Sequence, residues 1–317
     1  MSNHDLPAPA DFRAPWGLRH PHAQTILSSI LRRHIEPRRV SAFVDNSREE
    51  VITVDDVFVV THVNDAPGPT IALIPGWLGS ADSGYVLSVG NALWRAGFRV
   101  VRITLRDHGS TAHMNEGMFN SAMHEEVAKV VDHAVSGTEH GLGGVAGFSL
   151  GGNFALRVVR ELPHLTGIAI CPAIAPEATM HQIDRSVVYQ KYFINKWRKI
   201  WQVKATAFPQ YNFDDVLRLS TVSAITDYFV RHHTPFSSTD EYFKAYDLSG
   251  SALENVRAHV LCAQDDPIIS VADFHNLPDT IELKVTQQGG HGAYIEGWDM
   301  ASWVDDYVVD FFRRRFA

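Results

Sequence analysis

The stretch Gly144-Val145-Ala146-Gly147-Phe148-Ser149-Leu150-Gly151-Gly152 constrains this chain more than any other. Small apolar residues run into a G-x-S-x-G turn, and an amphipathic run from Asn153 to Leu162 follows it. Strand, sharp turn and helix are the context in which that pattern carries chemical meaning. The apical serine must take a strained backbone conformation. Glycines two residues before and two after it remove the Cβ atoms that would clash between packed strand and helix. The serine hydroxyl then projects beyond the sheet edge, and the backbone N–H of Leu150 points at whatever that oxygen attacks. Outside such a context the same pattern is a chance event in a glycine-containing loop.

The surrounding chain supplies the context. Short apolar runs at 70–74, 99–105, 167–171, 258–262 and 281–285 read as strands, with Val145-Ala146 leading into the serine turn. Residues 51–54 and 57–61 flank Asp55-Asp56 as a hairpin-like pair. Helical segments alternate with the strands: 85–97 closed by Gly97, 118–135, and a last helix burying Trp303, Val304, Tyr307, Val308, Phe311 and Phe312. Strands that are apolar throughout, alternating with helices, predict an α/β fold with a mostly parallel central sheet covered on both faces. The expected organisation is one domain over 1–317. Residues 1–50 form a polar, Pro/Arg-rich N-terminal extension with one short helix at 22–31; after it, Arg32, Arg33, Arg38 and Arg39 make a small basic cluster that reads as a solvated face. Residues 175–250 interrupt the alternation; they hold 14 of the 33 aromatic residues and are helix-prone. Following the strand after the serine, they are expected to form a helical cap over the C-terminal ends of the strands.

Composition narrows the function classes. A chain of 317 residues that is 45% hydrophobic and 20% charged can bury a sizeable core. A net charge of −8 argues against nucleic acid as a bulk electrostatic partner. Two cysteines, Cys171 and Cys262, lie in apolar runs and are too few for a disulfide framework, which suggests a reducing compartment. Met1 to Asp5 lack a cationic start followed by an apolar stretch, and no run approaches the roughly 20 apolar residues of a spanning helix. The expectation is a cytoplasmic protein without stable membrane insertion.

A serine hydroxyl needs a base at neutral pH, and a histidine held by a carboxylate serves best. In the order Ser, acid, His, the chain offers a candidate for each. Asp265 and Asp266 follow the strand at 258–262, the address of site residues in such sheets. Asp266, immediately before Pro267, is the preferred acid, and Asp265 is read as solvated or as a helix or turn cap. His291, in Gly289-Gly290-His291-Gly292, follows the strand at 281–285 and is the expected base. The oxyanion donors are the backbone N–H groups of Leu150 and of Trp77, the latter in the Pro75-Gly76-Trp77 loop after an early strand. His20 with His22, His108 with His113 and His232 with His233 lack a Cys/His/carboxylate set at recognisable metal-ligand spacing. His108 is read as structuring its loop. No cofactor or metal is implied.

Together these residues resemble the α/β-hydrolase superfamily. More narrowly, the chain is similar to the YheT-type bacterial hydrolases, the AB-hydrolase family four, which also holds eukaryotic lipid esterases. The resemblance rests on His20-Pro21-His22-Ala23-Gln24-Thr25-Ile26, on Phe148-Ser149-Leu150-Gly151-Gly152-Asn153, on Val188-Tyr189-Gln190-Lys191-Tyr192-Phe193, on Asp265-Asp266-Pro267 and on Gly289-Gly290-His291-Gly292. Two passages depart from the family. Pro75 stands at its usual histidine, and Arg106-Asp107-His108-Gly109 stands where it tends to have Arg-Gly-Cys-Ser-Gly. The resemblance implies hydrolysis of carboxylic esters, short- to medium-chain or lipid-like, on a small-molecule substrate. The same triad serves an acyltransferase, and a hydrolase fold also serves non-catalytic binding proteins.

Overall fold

In the computed structural model the described residues are 12–136 and 142–317; the reading made on Met1 to Asp5 lies outside them. Among the described residues eight strands, β1 (Arg48–Val54), β2 (Val57–Asn64), β3 (Thr70–Ile74), β4 (Arg99–Thr104), β5 (Gly143–Phe148), β6 (Thr166–Ile170), β7 (Ala258–Ala263) and β8 (Ile281–Thr286), form one sheet. Their order is β1-β2-β4-β3-β5-β6-β7-β8. From β4 to β8 every pairing is parallel; β2 is antiparallel to β1 and to β4. The β1–β2 hairpin closes through Asp55 and Asp56, whose φ values of 47° and 63° are the left-handed pair a two-residue turn requires.

Side chains alternate across the central strands, as a period of two dictates. Ile71, Leu73, Ala146 and Ile168 face a core layer with Val86, Leu93, Val304, Val308 and Phe312 of α3 (Gly84–Arg95) and α10 (Trp303–Arg315). Ala72, Ile74, Val145 and Ala169 face the other layer, with Val127, Val131, Leu156 and Val159 of α4 (His124–Ser136) and α5 (Leu150–Glu161). Both layers are buried, which is why these strands are apolar throughout.

Three expectations change. Helix α4 begins at His124, not near 118: Asn120 Oδ1 accepts the N–H of Ala122 at 3.0 Å, and this side-chain turn holds 118–123 out of the helix. The first helix, α1, runs from Pro21 to Arg39, well past residue 31, with Pro21 at its first turn where a missing N–H costs nothing. Arg32 of α1 is 1% exposed rather than solvated, its Nε donating to Glu36 Oε2 at 3.3 Å.

α1 is followed by the short α2 (Ser41–Asp45). Between β6 and β7 the chain leaves the sheet to form α6 (Pro176–Asp184), α7 (Val187–Ala207), α8 (Val222–His233) and α9 (Thr239–Lys244). Among the described residues no helix is long and apolar enough to cross a membrane.

Candidate active site

Chain order along the sheet places the site. From β3 the chain moves by α3 to β4 on one side. After β4 it returns by α4 to β5 on the other side of β3, and it continues outward from there. The C-terminal ends of the neighbouring β3 and β5 therefore flank the switch point, where open α/β sheets bind ligands. The end of β5 carries Ser149, and the end of β3 carries Pro75-Gly76-Trp77.

Ser149 has φ 55° and ψ −118°, a strained conformation for a residue with a side chain. The surroundings enforce it. A side chain on Gly147 would meet the carbonyl oxygen of Gly151 at 2.0 Å, and one on Gly151 would meet the carbonyl oxygens of Ile74 and Pro75 at 2.3 and 2.4 Å. Strand, helix and neighbouring loop thus touch backbone to backbone. Asn153 locks the turn from behind, its Nδ2 donating to the carbonyls of Ala173 at 2.8 Å and Tyr246 at 2.9 Å.

His291 and Asp266 meet. His291 Nδ1 lies 2.8 Å from Asp266 Oδ2, with the Asp266 side chain 2% exposed. Asp266 Oδ1 accepts the backbone N–H groups of Ile268 at 2.8 Å and Ile269 at 3.0 Å, so one oxygen anchors the carboxylate and the other orients the imidazole. Asp265 takes a different part: its Oδ1 accepts the N–H of Gly290 at 2.9 Å and braces the histidine loop. Ser149 and His291 line one cavity of about 640 Å³, together with Gly76, Trp77 and Leu150.

The Gly76-Trp77 turn lies against the serine: a side chain on Gly76 would meet Ser149 Cβ at 3.3 Å. The turn is pinned from two sides. Gly76 N–H donates to the hydroxyl of Tyr85 at 2.9 Å, and the Tyr85 ring packs 4.8 Å from Phe148. Burial pushes that hydroxyl up to about 12, so it stays a neutral acceptor. Opposite, Lys196 of α7 donates to the Leu78 carbonyl at 3.1 Å, and the Trp77 ring stacks on Phe193 at 5.1 Å.

The N-terminal motif acts on the histidine loop. Thr25 Oγ1 donates to the Pro21 carbonyl and accepts the N–H of His291 at 3.0 Å. Gln24, fully buried, holds Ile295 at both ends, accepting its N–H at 2.8 Å and donating to its carbonyl at 3.0 Å. His22 Nδ1 lies 2.7 Å from the Tyr189 hydroxyl of α7. The motif thus joins the loop of His291 to the helical insertion, a role its sequence did not disclose.

After β4, Asp107 sits at φ 62°, the left-handed region that a glycine enters freely. Its Oδ1 accepts Lys204 Nζ of α7 at 2.6 Å, and its Oδ2 accepts the N–H of Phe119 at 2.8 Å. Lys204 is fully buried and also donates to the Asn115 carbonyl at 2.5 Å. Burial pushes both members of the pair toward their neutral forms, and their mutual attraction opposes it. His108, in the cavity wall, directs Nδ1 at the Arg106 carbonyl at 2.8 Å and sets its ring edge-on to Phe119 at 4.6 Å. Its loop-structuring reading agrees with that geometry. Burial lowers it to about 4, so the ring is neutral at pH 7.

Of the aromatic residues between β6 and β7, Tyr189, Tyr192, Phe193, Trp197, Trp201, Phe229, Tyr242, Phe243 and Tyr246 line the cavity. Most are also core, with Trp197 and Trp201 packed edge to face at 5.3 Å. One set of rings serves as core and as cavity wall. Among the described residues no group of three or more His, Cys, Asp or Glu side chains gathers at a possible metal site.

Comparison with known proteins agrees with the architecture. The family model described as "Alpha/beta hydrolase family" matches residues 71–304. YheT of Escherichia coli strain K12, whose name describes a candidate esterase, is 23% identical over 323 residues, covering 95% of this chain and 92% of that protein. The embryogenesis-associated protein EMB8 of Picea glauca is 25% identical over 266 residues, covering 77% of this chain; the match spans 58% of the spruce protein's own length. Among solved structures, an esterase of Pyrococcus furiosus superposes with a TM-score of 0.56 at 17% identity, over 89% of this chain and 94% of that one, a likeness of fold. The chain belongs to the alpha/beta hydrolase family.

Proposed function

We propose that this protein hydrolyses carboxylic esters through Ser149, His291 and Asp266. The observation that carries the reading is the 2.8 Å contact between His291 Nδ1 and Asp266 Oδ2, made at the wall of the cavity that the strained Ser149 also lines. With Nδ1 engaged by the carboxylate, Nε2 is left to act as base. Ser149 Oγ attacks the acyl carbon while His291 Nε2 takes its proton. The carbonyl oxygen becomes an oxyanion, held by the N–H groups of Trp77 and Leu150. Collapse of this intermediate breaks the ester bond, and the imidazolium returns the proton to the leaving alcohol. Water, deprotonated by His291, then attacks the acyl-serine, and the acid departs.

The cavity supports an apolar substrate. Its wall is largely aromatic and aliphatic, and its volume of about 640 Å³ suits a small-molecule ligand. The resemblance to YheT favours an ester as the reacting group. Ser149→Ala should lower ester turnover by at least about 10³-fold, and Asp266→Asn by about 10⁴-fold through loss of the correct imidazole tautomer. Retained turnover in a folded Ser149→Ala protein contradicts the assignment.

A further inference from the structure

Residues that line the cavity and also stand in solvent mark where it opens. Ile30 of α1, 48% exposed, and Val188, Tyr192 and Val203 of α7, 57%, 38% and 43% exposed, do both. Ser29 Oγ reaches the Tyr192 hydroxyl at 3.3 Å, so the two helices meet at this mouth. Positions 188, 192, 199 and 203 recur at spacings that place them on one face of α7. Val187 of α7, 62% exposed, adds apolar surface next to Val188 outside the cavity wall. Single exposed apolar side chains need no explanation; a rim of them around the entrance to an apolar cavity does.

Charge identifies what the rim meets. The chain carries a net charge of −8, yet α7 has five Lys or Arg and no Asp or Glu in 21 residues. Helix α1 has four Arg against the single acid Glu36. Lys204 and Arg32 turn inward to Asp107 and Glu36, whereas Lys191 is exposed beside the rim face of α7 and Lys199 is exposed on it. A second copy seated face to face would set these cations against their own counterparts, which like-charge repulsion opposes. An anionic lipid surface accommodates both features. Val188 and Val203 enter its apolar boundary, Tyr192 suits the headgroup level, and the lysines approach the anionic headgroups. The acidic remainder of the molecule is repelled, which orients the mouth toward the lipid.

We propose that the α1–α7 rim docks on an anionic lipid–water interface and opens the Ser149 cavity toward it. Docking stands on the rim alone; delivery of a lipid-borne ester to Ser149 rests on the function proposed above.

The test is cosedimentation of the full chain, carrying Ser149→Ala to prevent turnover, with vesicles of phosphatidylcholine alone or mixed with phosphatidylglycerol. Mixed vesicles should bind about tenfold or more tightly, and high salt should weaken them. The double variant Val187→Asp/Lys191→Glu, at positions outside the cavity wall, should weaken binding about tenfold or more. Aspartate in the first turn of α7 suits the helix dipole, so the fold is retained. In the Ser149-intact chain this variant should keep turnover of a water-soluble ester. Leu283→Asp, on the exposed edge strand β8, should bind like the parent. Absent binding, equal binding to neutral vesicles, or an unaffected rim variant overturns the proposal. So does a stable dimer that the rim variant dissociates, with no vesicle binding. Vesicle binding by a chain that, with Ser149 intact, cleaves no ester leaves docking standing and removes the hydrolase reading.

Discussion

Ser149 holds its left-handed conformation because carbonyl groups of β3 and α5 close in on both flanking glycines. The same crowding brings the Gly76-Trp77 turn against it, so the placing of that turn matters as much as the serine. Tyr85 sets it through a single hydrogen bond to Gly76. Tyr85→Phe keeps the ring packing on Phe148 and removes the acceptor. It should lower kcat about tenfold with little change in KM, since the shifted N–H matters most when charge develops on the oxyanion. A rise in KM alone would instead assign Tyr85 to substrate binding. His108 makes a pH prediction. Its neutral form is the one buried, lowered to about 4, while the unfolded chain titrates it near its ordinary 6.5. Between those values the unfolded state binds more protons, so His108 contributes stability above pH 6.5 that is lost as pH falls toward 4. Denaturant unfolding at pH 7 and pH 4 should show the wild type losing about 3 kcal/mol more than His108→Asn, whose amide can still meet the Arg106 carbonyl. Parallel losses contradict it.

Elements of secondary structure show why parts of the site were legible and parts were not. Ser149, Asp266 and His291 could be named as candidates because each follows a short apolar strand, and glycines or a proline mark the turns. The preference for Asp266 over Asp265 rested on the position before Pro267; the contact to His291 is made by Asp266. Tyr85 carried no signal, because a tyrosine near the start of a helix does not reveal that it bends back to the preceding loop. Arg32 misled for a related reason: arginines on a polar helix read as solvated until the partners, Glu36 and the α10 carboxylate Asp305, are seen beside it. The tie between sheet and insertion was equally hidden. Lys204 lies 97 residues from Asp107, and nothing local links them. Lys204→Met should destabilise the protein by about 3–5 kcal/mol, because it leaves Asp107 buried and unpaired. Adding Asp107→Asn should recover part of that loss, as read by denaturant midpoints. If the single variant is as stable as the wild type, the pair does not hold α7 to the sheet.

At the scale of the whole molecule, the alternation of apolar strands with helices conveyed the α/β class and the covered sheet. Strand order was not legible, because β2 pairs with β4 rather than with its successor β3, and such long-range choices leave no periodicity. The cavity was legible only as an aromatic excess, since the same rings serve core and wall. What the assembled molecule adds is convergence. The β3 loop, the β5 turn, the Asp266–His291 pair, the Gln24-Thr25 motif of α1 and the rings of α7 meet around one space. The central claim is that this convergence activates Ser149 as a nucleophile. It is tested most directly by treating the purified chain with a fluorophosphonate and locating the modified residue by mass spectrometry. The account predicts covalent modification at Ser149, lost in folded His291→Ala; a wild-type chain left unmodified, or modified at another residue, contradicts it.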